Sequence, residues 1–121
     1  MSANPGLIKN YIAGAAVSPC RLVKIGAAAG YVIHNAAATT PTLGVTRENI
    51  LAATGQRIDV IHDGIAYVEA GAVVALGAKL TSDATGRAVT AVGTNEGAGT
   101  ALEAATAAGD LIRMDIRRGL V

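Results

Sequence analysis

Glycine and proline interrupt this 121-residue chain so often that no window free of both is longer than ten residues. The 15 Gly and three Pro are spread along the sequence, and the two longest such windows are 31–40 and 45–54. Inside a helix, Gly costs about 1 kcal/mol and Pro about 3 kcal/mol relative to Ala. A chain cut at this spacing cannot easily carry helices of roughly 10–15 residues, as an α/β fold requires. Short strands joined by turns fit far better. The expected fold is all-β, a small Gly-punctuated β-barrel or β-sandwich-like (β-tulip-like) domain with an extended N-terminal arm.

Several strands can be read directly. Residues 21–25 and 31–35 flank a small-residue turn ending in Gly30. Residues 57–62 alternate, with Ile58, Val60 and His62 on one face and Arg57, Asp59 and Ile61 on the other. They run into Asp63-Gly64, a dipeptide suited to a type I′ hairpin turn, with 65–70 as the returning strand. Residues 78–81 and 87–92 bracket the polar turn Ser82–Gly86. Residues 111–117 alternate cleanly, with Ile112, Met114 and Ile116 facing in and Arg113, Asp115 and Arg117 facing out.

Two segments admit a helical turn instead. Thr46 to Gly55 could be capped at both ends, and Thr100-Ala-Leu-Glu103 has the pattern of a capping box; for 99–105 a strand plus loop is preferred. A weak internal echo also runs through the chain. Gly30 to the strand after Gly55 and Gly86 to the strand after Gly109 span 25 and 23 residues, either a duplicated β unit or the common look of Gly-punctuated strands. Residues 1–19 stand apart: Pro5-Gly6 and Ser18-Pro19 bracket the apolar run Leu7–Ile12. This stretch is either an arm that pairs with another chain by strand addition or the first strand of the domain. The organisation expected is an arm over 1–19 and one β-rich domain over 20–121.

The material available for a core is small. Hydrophobic residues make up 51% of the chain, but 26 of them are Ala and 30 are Val, Ile or Leu, with no Trp or Phe. The aliphatic share suffices for folding, yet the rings that bury most area per residue are scarce. A modest core of this kind implies stability gained from neighbours. The single Cys20 rules out an internal disulfide framework.

Charge and motifs narrow function further. Ten bases against nine acids, with three aromatic residues, lack the basic patch and stacking platforms of a nucleic-acid binder. No stretch reads as a signal peptide or a membrane span, so no membrane partner is expected and synthesis in a cytoplasm is. Before Glu48 there is no acid, only Lys9, Arg21, Lys24 and Arg47, a bias that would suit an acidic partner surface. Phosphate-cradling and zinc motifs are absent, and Gly93–Thr100 lacks the lysine and spacing of a nucleotide loop. His34 and His62 lie on different strands and lack further ligands, so neither metal nor cofactor is expected. Cys20, His62 and Asp63 supply the residue types of a nucleophile and its base, but neighbouring His and Asp on a strand point to opposite faces. No catalytic residue emerges, and the protein is not expected to be an enzyme.

One resemblance is specific enough to use. Glu69-Ala-Gly-Ala-Val-Val-Ala-Leu-Gly-Ala-Lys-Leu-Thr-Ser-Asp-Ala-Thr-Gly86, then Arg87-Ala-Val-Thr-Ala-Val92, resembles the tailed-phage capsid cement, or head decoration, proteins. The block Gly99–Asp110 followed by Leu111–Ile116 fits the same pattern, and the likeness is clearest over 64–118. It implies a small β-rich protein, often a homotrimer, bound to the outer surface of a phage head in the virion. There it would bridge neighbouring major capsid subunits against DNA pressure. The first 20 residues carry no motif of the family. From their apolar run and the nearby bases we take Leu7, Ile8, Lys9, Tyr11, Ile12, Arg21 and Lys24 as capsid-contact candidates. The competing expectation is a β-rich fibre or tail adhesion module that binds glycans, against which the lack of Trp counts.

Overall fold

The computed structural model describes residues 4–5, 8–26, 28–37, 40, 42–47, 53–92 and 96–120. Eleven strands form among the described residues: β1 (Asn4–Pro5), β2 (Ile8–Ala13), β3 (Leu22–Ile25), β4 (Tyr31–His34), β5 (Gly44–Thr46), β6 (Arg57–Ile61), β7 (Gly64–Glu69), β8 (Lys79–Ser82), β9 (Ala88–Thr90), β10 (Glu96–Ala101) and β11 (Leu111–Leu120). No helix occurs among the described residues. The fold is all-β, as the glycine spacing requires.

The strands divide into two lobes. Strands β2-β4-β3-β5-β6 close into a five-stranded barrel, and β1-β7-β11-β10-β8-β9 form a six-stranded sheet. Closure removes the exposed edges that short strands would otherwise present. The seam of the barrel is the parallel pairing of β2 with β4, Ile12 to Tyr31 and Ala13 to Val32. Ile12 N donates to Gly30 O and Gly14 N to Val32 O, both near 2.8–2.9 Å.

The interior holds two clusters of buried residues, one within the barrel and one shared between barrel and sheet. Ala13, Val17, Val23, Val32, Ile58 and Val60 fill the barrel, with Tyr11 and Leu43 packed against them. The second cluster combines sheet residues such as Val68, Leu80, Ile112 and Met114 with Leu22, Val45 and Ile61 from the barrel strands. Leu, Ile, Val and Met are the largest fully buried side chains. The interior is therefore built from small units, each excluding little water.

The two lobes are stitched together by main chain as well as packing. Leu22 N donates to Gly86 O at 2.7 Å, and Glu69 N to Cys20 O at 2.8 Å. The Ser82 hydroxyl donates to Asn35 O, and both residues are buried.

Two expectations need correction. Residues 8–13 are not a free arm: β2 pairs with β6 over five positions, Ile8 to Ile61 through Ile12 to Arg57, and with β4 at its other edge. The first-strand alternative is what the chain adopts. Nor do 57–62 and 65–70 form a hairpin, since β6 pairs with β2 and β5 while β7 pairs with β1 and β11. A type I′ turn needs positive φ at both central residues; Gly64 has it (φ 90°), and Asp63 does not. Asp63-Gly64 is instead the crossing between lobes. β6 accordingly has no polar face at its end, because Ile58 and Val60 enter the barrel core while Ile61 enters the other.

The capping-box alternative is likewise absent. Thr100 and Ala101 lie in β10, and the Glu103 carboxylate accepts from Arg113 N at 2.9 Å. Half of the other candidate helical turn, residues 48–52, lies outside the described residues. Thr46, its supposed cap, ends β5 and donates its hydroxyl to Ser18 O.

Candidate functional site

The sequence offers no catalytic motif, so the candidate site is sought among the surfaces available to a partner. Among the described residues no group of three or more His, Cys, Asp or Glu is placed to hold a metal ion. Cys20 is buried at the junction of the lobes, in the left-handed region at φ 57°. His62 shares a 2.8 Å hydrogen bond with the Tyr11 hydroxyl through Nε2.

The expected contact residues fall into three groups. Arg21 is committed to the seam between lobes. Its Nη2 lies 3.3 Å from Glu69 Oε2, its Nη1 donates to Thr85 O at 2.9 Å, and its side chain is only 17% exposed. Arg87 Nη1 approaches the same Glu69 oxygen at 3.5 Å and its Nε lies 3.5 Å from Asp83 Oδ2. Two guanidinium groups thus share one carboxylate and draw in a second, locking barrel to sheet. Tyr11 and Ile8 are also inward, Tyr11 against the barrel core and Ile8 against the other cluster. Leu7 lies outside the described residues.

Lys9, Ile12 and Lys24 remain at the surface. Ile12 is half-buried on the outer side of β2, and its register partner across β6 is Arg57. Lys24 pairs with Ile33, both on the outer side of the β3–β4 hairpin because Val23 and Val32 point into the barrel. Outward positions on these strands carry Ile12, Tyr31 and Ile33. Beside them is an open groove of about 640 Å3 walled by Gly14, Ala15, Ala28, Tyr31, Ile33 and Gly55. Tyr31 is the exposed one of the three tyrosines. Sequence reasoning missed Tyr31, Ile33 and Arg57 because the pairings that gather them, parallel β2–β4 and antiparallel β2–β6, are non-local. The available signal was an apolar residue alternating with Val32 on a strand whose other face was already filled.

The polar loops of the sheet lobe are structural. Asp83 Oδ1 accepts from Thr85 N (2.8 Å), Arg87 N (2.9 Å) and the Thr85 hydroxyl (3.1 Å). Burial alone would raise its pKa, but these donors and the Arg87 charge together hold it below the usual carboxylate value. Asp110 is lowered by the Thr106 N–H and then the Thr106 hydroxyl, and Glu103 by the Arg113 N–H and then its side chain. Each carboxylate fastens a turn.

Residues 3–116 match the family described as phage cement protein. The chain belongs to the phage cement protein family. Membership makes it a capsid-associated structural protein of the virion. Among solved structures, the head fiber gp8.5 N base of bacteriophage phi29 has a similar fold, with a TM-score of 0.76 and 22% identity. That match covers 95% of this chain and 97% of the other. At this identity the likeness establishes shared architecture. No curated protein matches the sequence. For this cement-family chain the resemblance motif acquires a physical meaning: within Ala70–Leu80, Ala70, Val74 and Leu80 are buried while Val73 and Leu76 are about 70% exposed. Gly77, at φ 81°, turns the chain into β8.

Proposed function

We propose that the protein decorates the outer surface of a phage head and bridges neighbouring major capsid subunits, stabilising the shell against the pressure of packaged DNA. The observation that carries this reading is the family match over nearly the whole chain. The build of the molecule supports it. Two lobes joined by a partly buried polar seam make a two-ended body whose ends present different surfaces, a geometry suited to spanning a subunit border.

A trimer on the head is part of the same reading. It is supported by the sheet lobe, where Val73, Leu76, Val92 and Leu111 are each more than half exposed. Apolar side chains of this size on a small domain mark a surface for association. Of the residues first chosen for capsid contact, Lys9, Ile12 and Lys24 are retained, whereas Arg21, Tyr11 and Ile8 are assigned to holding the fold.

The test is reconstitution. Purified protein is mixed with undecorated heads and pelleted, and head survival on heating is compared with and without it. Saturable co-sedimentation and heads that retain DNA at a higher temperature are expected. No association at micromolar protein would reject the reading.

A further inference from the structure

The outer wall of a small closed barrel is normally its wet side, with inward apolar residues alternating against outward polar ones. Here that rule fails over one patch. Ile12, Tyr31 and Ile33 point outward beside the groove of about 640 Å3. We infer that this groove is the face by which the protein docks on the shell. Its occupant is an extended capsid-subunit segment that presents a large apolar side chain flanked by carboxylates. The inference rests on the decorating role proposed above and names the face that performs it.

The groove owes its shape to residues that lack bulk. A Cβ at Gly14 would sit 3.1 Å from Ile33 Cγ2, and one at Gly26 would sit 3.2 Å from Tyr31 atoms. Glycine at both places lets backbone approach the outward side chains, leaving a floor of small residues and a tyrosine wall. Such a cleft accepts an apolar side chain, and each Å2 it removes from water contributes about 25 cal/mol.

The rim selects the flanking charge. Register places Lys24 beside Ile33 at one side of the groove. At the other, Arg57 pairs with Ile12 next to Ala13 and Gly55. Arg57 Nη1 donates to Asn10 Oδ1 at 2.9 Å, and Asn10 Nδ2 donates on to Asp59 Oδ1. Among the described residues neither Lys24 nor Arg57 forms an ion pair, whereas Arg21 and Arg47 are matched by Glu69 and Asp59. Residues 8–61 carry five bases against two acids, and residues 62–121 five against seven. Two bases of the barrel lobe that form no ion pair among the described residues, Lys24 and Arg57, therefore flank its apolar groove. Acidic flanks on the partner would orient and accelerate docking, with a dependence on salt.

The test uses full-length protein and undecorated heads. Ala15→Glu puts a carboxylate at the groove, and Lys24→Glu reverses the rim charge; Lys79→Glu, on an exposed position of β8, is the control in the other lobe. Both groove variants should bind heads about tenfold more weakly or worse, and Lys24→Glu should flatten the salt dependence. Lys79→Glu should bind as wild type. All three should melt within a few degrees of wild type; if Ala15→Glu does not fold, Lys24→Glu decides alone. Wild-type affinity in the groove variants overturns the inference, as does a loss confined to self-association in solution. If wild-type protein itself ignores heads, the decorating role falls as a whole, which is a separable result.

Discussion

Single carboxylates and one imidazole set how this fold responds to its surroundings. Asp83 fixes the turn between β8 and β9 through three hydrogen bonds to one oxygen and an ion pair through the other, an arrangement typical of Asx turns. Replacing it by Ala leaves two main-chain donors and Arg87 without their acceptor. Hydrogen bonds to a charged acceptor are worth about 1.5–3 kcal/mol, so D83A should lose about 2 kcal/mol in urea unfolding. His34 Nε2 accepts from Ser18 N at 3.0 Å, which requires the neutral ring with its proton on Nδ1. Burial, and then the nearby Arg21 charge, lower its pKa from 6.5. The unfolded chain therefore binds this proton more readily, and stability present above about pH 6.5 declines as pH falls below it. Asp83, Glu103 and Asp110 are also lowered, so their contribution holds above about pH 4.5 and is lost as pH falls further. Melting temperature against pH should show both declines, and H34Q should remove the upper one alone.

At the scale of elements, what the sequence revealed depended on how local each pairing is. The β3–β4 and β8–β9 hairpins were legible because each closes within a few residues around Gly30 or Gly86, both at positive φ. The fates of β2 and β6 were not, since β2 joins a strand some fifty positions away, Lys9 to Val60. Periodicity likewise cannot reveal that one strand serves two cores, as Ile58 and Ile61 do. Arg21 shows the same limit: it looked exposed in a basic segment, but its partner Glu69 is distant in sequence. Close backbone approach gives a test of the β5–β6 pairing. A Cβ at Gly44 would fall on Ile61 O and on Val60, so G44A should cost about 2–3 kcal/mol through forced displacement. Gly55, at φ 88° with open space around it, should cost only about 1 kcal/mol as G55A, from backbone strain.

For the whole molecule, the seam decides whether two lobes behave as one body. Glu69 neutralises Arg21 and Arg87 while all three are partly shielded from water, and removing its charge leaves two cations facing each other. Because these groups retain some solvent contact, E69Q should cost about 1–2 kcal/mol. It should also broaden or split the thermal transition as the lobes uncouple, which calorimetry would detect. The role proposed for this two-lobed molecule with small core side chains is that of a spacer stabilised further by the capsid lattice it joins. That claim is tested most directly by a cryo-electron microscopy reconstruction of heads assembled without the protein and then saturated with it. The account predicts two-lobed density on the outer surface astride borders between capsid subunits, barrel groove towards the shell. Bare heads, or density confined to the interior of the shell, would contradict it.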